Sequence, residues 1–200
     1  MVLDTLRKYF PSYSGSKFPK SFESIVTQIN QKELSEESLN LLWKAYKYSK
    51  LAHTGQYRKS GVPYFEHCEY VAQTLAEWHL DPNTIIAGLL HDVIEDTSVK
   101  KEDIQIEFNS EIANLVDGVS KLSDIKFTSR KQKQAENFMK MFLSIANDLR
   151  VIIIKFADRL HNMKTIKYLT RIKQRRIAIE TRDVFAPLAH RLGMNKLKVE

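Results

Sequence analysis

The chain has little of what disulfide-stapled, β-rich or membrane-spanning proteins are built from. Its 200 residues include one cysteine, Cys68, so no disulfide can form within the chain, and such sparing use fits a reducing compartment. Six glycines and five prolines are too few for an all-β fold with its many turns. No run of about 18 apolar residues occurs, so no membrane-spanning helix is expected. The opening MVLDTLRKYF carries an acid at position 4 and no apolar run with a cleavage site, so it does not read as a secretory signal. The cytoplasm is the expected location. There is no low-complexity stretch, no repeat and no clear linker. A hydrophobic content of 43% is ordinary for a globular protein, and this length allows one large domain with a real core or at most two small ones.

The net charge is +7, which favours anionic partners in general. Its distribution says more. Residues 150–182 hold ten lysines and arginines against two acids, and QYRKS adds Arg58 and Lys59. Residues 91–111, in contrast, contain Asp92, Glu95, Asp96, Glu102, Asp103, Glu107 and Glu111. A carboxylate-rich locus beside basic clusters suits a metal-dependent site for a polyphosphate, although many of these charges are expected simply to solvate helix faces.

The periodicity is helical throughout. SFESIVTQIN reads as a short helix, and ELSEESLNLLWKAYKYSKLAH as a longer one N-capped by Ser35, with Leu39, Leu42, Trp43, Ala45 and Tyr46 at helical spacing. GQYRKSGVP is a loop. PYFEHCEYVAQTLAEWHL is the next helix, with Pro63 near its start. Asp81–Pro82 opens another, expected to run on through His91–Asp92. Two short helices follow over 102–108 and 111–122. SDIKFTSRKQK is a basic loop, and helices are expected over 132–146 and 148–168. The β-branched VIIIKF reads better as part of a buried helix than as a strand, and Pro187 should kink or break the last helical segment.

Four polar residues stand in apolar settings: His67, His91, Asp92 and Asp158. IIAGLLHDVIEDT is an apolar run that breaks into His-Asp and then Glu-Asp, and needs a reason to hold those groups. Imidazole and carboxylate ligation of a divalent ion, with positions left for water and phosphate oxygen, is such a reason and points to metal-assisted phosphoester hydrolysis. On a continuous helix, His91 and Glu95 share one face, Asp92 and Asp96 the adjacent one, while Asp158 and Asn162 share a face of a later helix. Each residue also has a plainer reading. His67 alone fits a hydrogen-bonded buried histidine, Glu95–Asp96 a charged helix end, and Asp158–Arg159 a structural ion pair. His53 and His161 are ambiguous, and His79 and His190 read as structural.

The motifs HTGQYRKSGVPYFEH, LLHDVIEDT, LVDGVSKL, QAENFMKM, DLRVIIIKFADRLHNMKT and ETRDVFAPLAHRLG occur in an order that resembles the N-terminal hydrolase domain of the long Rel/SpoT alarmone enzymes, members of the all-helical HD phosphohydrolases. The resemblance covers about four-fifths of the chain. It implies an all-α HD fold over 1–200, with 1–34 as an N-terminal extension. It also implies release of pyrophosphate from guanosine tetraphosphate or pentaphosphate, leaving GDP or GTP.

By the same resemblance, manganese is held by His67, His91, Asp92 and Asp158. Glu95 and Asp96 activate or orient water. Arg58 packs on guanine, Lys59 meets phosphates with Ser60 beside them, and Asn162 contacts the ribose. Cys68 departs from the proline usual after the metal histidine, and Met139, Met141 and Phe156 read as core substitutions. The chain is expected to be a hydrolase portion of a longer protein with synthetase and regulatory domains. Neither membrane nor direct nucleic-acid contact is expected. The alternatives are another HD-type nucleotide phosphohydrolase and a non-catalytic helical module that binds a regulatory domain or nucleic acid.

Overall fold

A computed structural model describes residues 18–29, 34–123 and 148–194. The helix expected over 132–146, the QAENFMKM stretch with Met139 and Met141, and all but the first residue of SDIKFTSRKQK lie outside the described residues. The described residues are all-α, as the periodicity predicts, apart from one isolated antiparallel bridge between Tyr57 and Pro63. None of their helices is long and apolar enough to cross a membrane.

Helix α1 spans Lys20–Gln28, α2 Glu36–Ala52, α3 Phe65–Glu77, α4 Pro82–Leu90, α5 Val93–Asp96, α6 Lys101–Glu107, α7 Ser110–Ser123 and α8 Arg150–Lys164. A short 3₁₀ turn, Ile166–Tyr168, leads to α9 at Arg171–Glu180, a π turn at Thr181–Phe185 and α10 at Ala186–Arg191. Both N-caps expected from sequence form: Ser38 N–H donates to Ser35 Oγ at 3.0 Å, and Thr84 N–H to Asp81 Oδ1 at 3.1 Å. The VIIIKF segment lies inside α8, where Val151, Ile152, Ile154 and Phe156 are buried and packing outweighs β propensity.

The centre of the molecule is α4. Every residue from Thr84 to Leu90 is buried, as expected of a helix apolar all round. It packs against α2, α3, α7 and α8. Burial of large side chains such as Leu75, Ile85, Ile86, Leu89 and Phe156 stabilises by about 1.5–3 kcal/mol each. Gly88 allows α4 to approach α3 closely: a Cβ there would lie 2.4 Å from Leu75 Cδ1. α1 contributes Phe22, Ile25 and Val26 to the same core.

One expectation about helix continuity needs correction. α4 ends at Leu90, and His91 and Asp92 form a turn before the short α5. They are therefore not in mid-helix, and the single-helix face argument for His91, Asp92, Glu95 and Asp96 does not hold. Side chains take the carbonyls that would continue the ladder: Ser49 Oγ donates to Leu89 O at 2.6 Å, and His91 Nδ1 lies 2.8 Å from Gly88 O. At the other end of the chain, the regular α-helix is interrupted just before Pro187, as expected. The turn before it widens, with Ala186 N–H donating to Thr181 O five residues back, and this absorbs the ring that would clash with a regular α turn.

Candidate metal centre and its rim

Three parts of the fold meet around one small polar centre. α3 brings His67, the α4–α5 turn brings His91 and Asp92, and α8 brings Asp158. All four residues are buried in a largely apolar interior, with Lys155 beside them. His67, His91 and Asp158 each offer a ligand atom within 4.8 Å of the others. Asp92 Oδ2 lies 2.9 Å from His91 Nε2 and 3.4 Å from His67 Nε2, and Asp158 Oδ1 lies 3.3 Å from His67 Nε2. These approaches lack hydrogen-bond geometry: both Nε2 atoms are buried without a hydrogen-bond partner. Buried polar atoms normally find partners. Two orphaned ring nitrogens converging with two carboxylates form a donor set that fits a divalent cation.

The opposite ring nitrogens are held. His91 Nδ1 faces the Gly88 carbonyl, which can only accept, so Nδ1 carries the proton and a neutral ring keeps its Nε2 lone pair for the centre. His67 Nδ1 lies 2.6 Å from His161 Nδ1. Burial first, then the proximity of His67 and Arg58, pushes His161 down to about 3, so His161 is neutral near pH 7 and can accept from His67. Its ring stacks between those of His67 and Tyr70, at 4.8 and 4.3 Å. Such outer partners fix a ligand's tautomer and direction.

The electrostatics of the centre are those of carboxylates that demand a cation. Burial works against the Asp92 charge, but His91 and His67 more than offset it and hold the carboxyl well below its usual range. Burial likewise opposes the Asp158 charge, and Lys155 and His67 overcome it. His91 is raised although burial opposes its charge, because Asp92 and Asp158 lie beside it. Tyr64 OH donates to Asp92 Oδ2 at 2.9 Å; burial, then Asp92 and Asp96, push that phenol far up and keep its proton in place.

The rim is built differently. Arg58, Lys59 and Ser60 lie in a tight turn closed by Arg58 N–H to Val62 O and Gly61 N–H to Arg58 O, both 2.9 Å, with Gly61 at φ +88° supplying the left-handed step. Lys59 is exposed and Ser60 half-buried. Arg58 Nη2 donates to Asn162 Oδ1 at 2.6 Å, and Asn162 Nδ2 donates to Asp158 Oδ1 at 2.5 Å. A direct chain of contacts thus joins the turn to the buried centre. Glu95 and Asp96 are exposed on α5. Partial burial raises the Glu95 carboxyl although Lys155 pulls it down. Gln56 Nε2 donates to the Asp96 carbonyl at 2.9 Å, pinning that turn to the loop.

The four residues that the sequence proposes as ligands do lie together at the centre, while several side chains that contact them carry no signal of their own. His161 is ambiguous in the sequence, and Tyr64 and Lys155 do not stand out there. Tyr64 lies three residues before His67 and Lys155 three before Asp158, so spacing from the ligands was the available signal. Asp158 does not pair with Arg159: its Oδ2 meets Lys155 at 2.6 Å, and Arg159 pairs with Glu180 at 2.9 Å. Cys68 is buried in α3 with its thiol pushed up by burial, which makes it a packing residue.

Known proteins resemble this chain in sequence and in fold. The HD domain family matches residues 45–195. A guanosine-3′,5′-bis(diphosphate) 3′-pyrophosphohydrolase of Vibrio cholerae is 51% identical over 179 residues, covering 90% of this chain and 25% of that protein. The bifunctional (p)ppGpp synthase/hydrolase SpoT of Escherichia coli is 49% identical over the same shares. A GTP pyrophosphokinase of Myxococcus xanthus is 47% identical over 192 residues, 94% of this chain and 25% of that one. The chain thus spans a quarter of the length of these curated relatives. The solved structure of a metazoan ortholog of SpoT that hydrolyzes ppGpp overlays with a TM-score of 0.59 at 27% identity, covering 72% of this chain and 83% of that one.

Proposed function

The chain belongs to the HD domain family, and from that premise we propose that it hydrolyses the 3′-pyrophosphate of guanosine 3′,5′-bis(diphosphate), or of the corresponding pentaphosphate, with manganese as cofactor. The observation that carries this reading is the pair of orphaned Nε2 atoms on His67 and His91, set against Asp92 and Asp158 in a buried centre that is joined through Asn162 to Arg58. The resemblance of the RKSG turn and of the Glu-Asp pair to the alarmone hydrolases, together with the names of the relatives, selects the substrate.

His67, His91, Asp92 and Asp158 would hold the ion. When bound, it would supply Lewis-acid charge for the phosphoryl oxygens and make water a better nucleophile at neutral pH. The remaining chemistry belongs to the rim. Glu95 and Asp96 take up and orient the proton of the attacking water. A carboxyl raised by burial, as Glu95 is, makes a better base than an ordinary glutamate. The water oxygen bonds to the 3′-linked phosphorus, the bond to the 3′ oxygen breaks, and that oxygen takes a proton. The products are pyrophosphate and GDP, or GTP from the pentaphosphate. Lys59, exposed at the turn, offsets polyphosphate charge with Ser60 beside it. Arg58 offers a planar cation for the base and Asn162 a polar contact for the ribose, once substrate competes for the bond that ties these two to each other.

The test is incubation of the purified chain with guanosine tetraphosphate and manganese, with nucleotide and inorganic products both quantified. Stoichiometric GDP and pyrophosphate are expected. Orthophosphate or triphosphate release from other nucleotides, without this reaction, would transfer the assignment to a different HD-type phosphohydrolase.

A further inference from the structure

Lys155 is the only lysine or arginine buried among the described residues. It sits on α8 one turn before Asp158. Its Nζ is 2.6 Å from Asp158 Oδ2 and donates to Ser123 Oγ, at the end of α7, at 2.8 Å. The Ser123 hydroxyl itself donates to Val119 O at 3.1 Å, which turns its lone pairs toward the ammonium. The second oxygen of Asp158 has other company: Oδ1 accepts from Asn162 at 2.5 Å and lies 3.3 Å from His67 Nε2. The carboxylate is therefore divided, with one oxygen turned to a fixed cation and the other to the imidazoles.

A long side chain on a helix usually carries its charge out to water, and a buried ammonium is costly to hold. A lone core ion pair would be a poor reason for that cost. The two buried carboxylates, Asp92 and Asp158, give a better one. Together they place a double negative charge in the buried interior, and Lys155 halves it without drawing on the imidazoles.

We propose that Lys155 is the resident counter-charge of this centre: it keeps Asp158 Oδ2 turned away, so that only Oδ1 faces the imidazoles, and it lets the four ligands stay assembled without a divalent ion. The same charge sets a ceiling on metal affinity. A unit positive charge a few ångströms from a divalent site lowers its affinity by about tenfold or more. Lys155 is thus a positioning residue that makes the site preformed and its ion exchangeable. The inference rests on the metal reading above but not on the identity of the nucleotide.

The test compares Lys155→Met with the unaltered chain, using thermal unfolding with and without manganese chloride and calorimetric titration of manganese. The variant should melt lower without metal, gain more from manganese than the unaltered chain does, and bind it about tenfold or more tightly, because the ion takes over the missing charge. A variant that melts lower but gains no more from manganese makes Lys155 an ordinary core ion pair and overturns the proposal. So does a variant unchanged in both respects. If Lys155→Met does not fold alone, folding restored by excess manganese supports the proposal, and no restoration overturns it. An unaltered chain that ignores manganese would sink the metal reading itself and this proposal with it, an outcome distinct from failure of the variant alone.

Discussion

The buried centre and its rim solve opposite problems. His67, His91, Asp92 and Asp158 are held in the interior by three helical elements, and their outer partners (His161, the Gly88 carbonyl, Tyr64 and Lys155) leave them little freedom. Lys59, Glu95 and Asp96 are exposed on a tight turn and a one-turn helix, and Arg58 is hydrogen-bonded to Asn162, a bond that substrate binding as proposed would exchange. Ligation needs several donors aimed at one point, which packing provides in advance. Substrate capture and proton transfer need groups that water can reach and that can change partners. The difference assigns preorganisation to the centre and adaptability to the rim.

The comparison breaks most visibly at the ligands. His91→Ala or Asp158→Ala should weaken manganese binding by at least about 100-fold and abolish hydrolysis, since first-contact ligands matter more than uncharged outer partners such as His161 and Tyr64, whose loss costs about 10–100-fold. Calorimetric titration of the folded variants checks this, and near-native affinity in both would remove the centre from the metal. At the rim, the double change of Glu95→Gln with Asp96→Asn should lower turnover by about 100-fold while metal affinity stays as it was. A matching loss of metal affinity would erase the division between the two regions.

Two smaller effects sharpen the comparison. Arg58→Ala should weaken guanosine tetraphosphate binding by about 10–100-fold, the equivalent of losing one charged hydrogen-bonded contact of roughly 1.5–3 kcal/mol. The preference over the adenosine analogue should narrow with it in competition binding, and an unchanged preference would count against base recognition by Arg58.

The smallest effect lies outside both regions, where Asp148 pairs with Arg150 at 2.7 Å at the start of α8. The hydrogen bond to Arg150 lowers the Asp148 carboxyl. Its contribution is therefore fully present above the unfolded value near about 3.9 and is lost as pH falls through the lower folded value. Asp148→Asn should cost about 1 kcal/mol or less at pH 7, with the deficit vanishing in strong acid. Denaturant melts at both pH values would reveal a deficit that persists in acid, which would point to packing instead.

Much of this was legible in the sequence because it is local. Ser35 and Asp81 announce helix starts by chemistry that acts within three residues. The all-α class follows from apolar spacing, and the polar set His67, His91, Asp92 and Asp158 is conspicuous because charge inside apolar text is costly. Less legible was the end of α4 at Leu90. It depends on Ser49, forty residues away, occupying the Leu89 carbonyl, and no local pattern carries that information. The supports were hidden for a related reason. Lys155 reads as one more base in a basic segment, and only packing against α7 shows that its charge is internal.

The sequence alone, then, determined which residue types were available and which short-range rules they obey: helices, caps, the GQYRKSGVP loop, and a set of ligand-type side chains in apolar runs. Tertiary structure alone decided their convergence: that His67 Nε2 and His91 Nε2 are left without partners at one point, that Asp158 divides its oxygens between a lysine and the imidazoles, and that Arg58 reaches the centre through Asn162. Periodicity fixes a side chain's direction relative to its own helix axis. The meeting of four such directions depends on how helices pack, and packing is set by volume and close approach between residues far apart in the chain, as where Gly88 lets α4 press on α3.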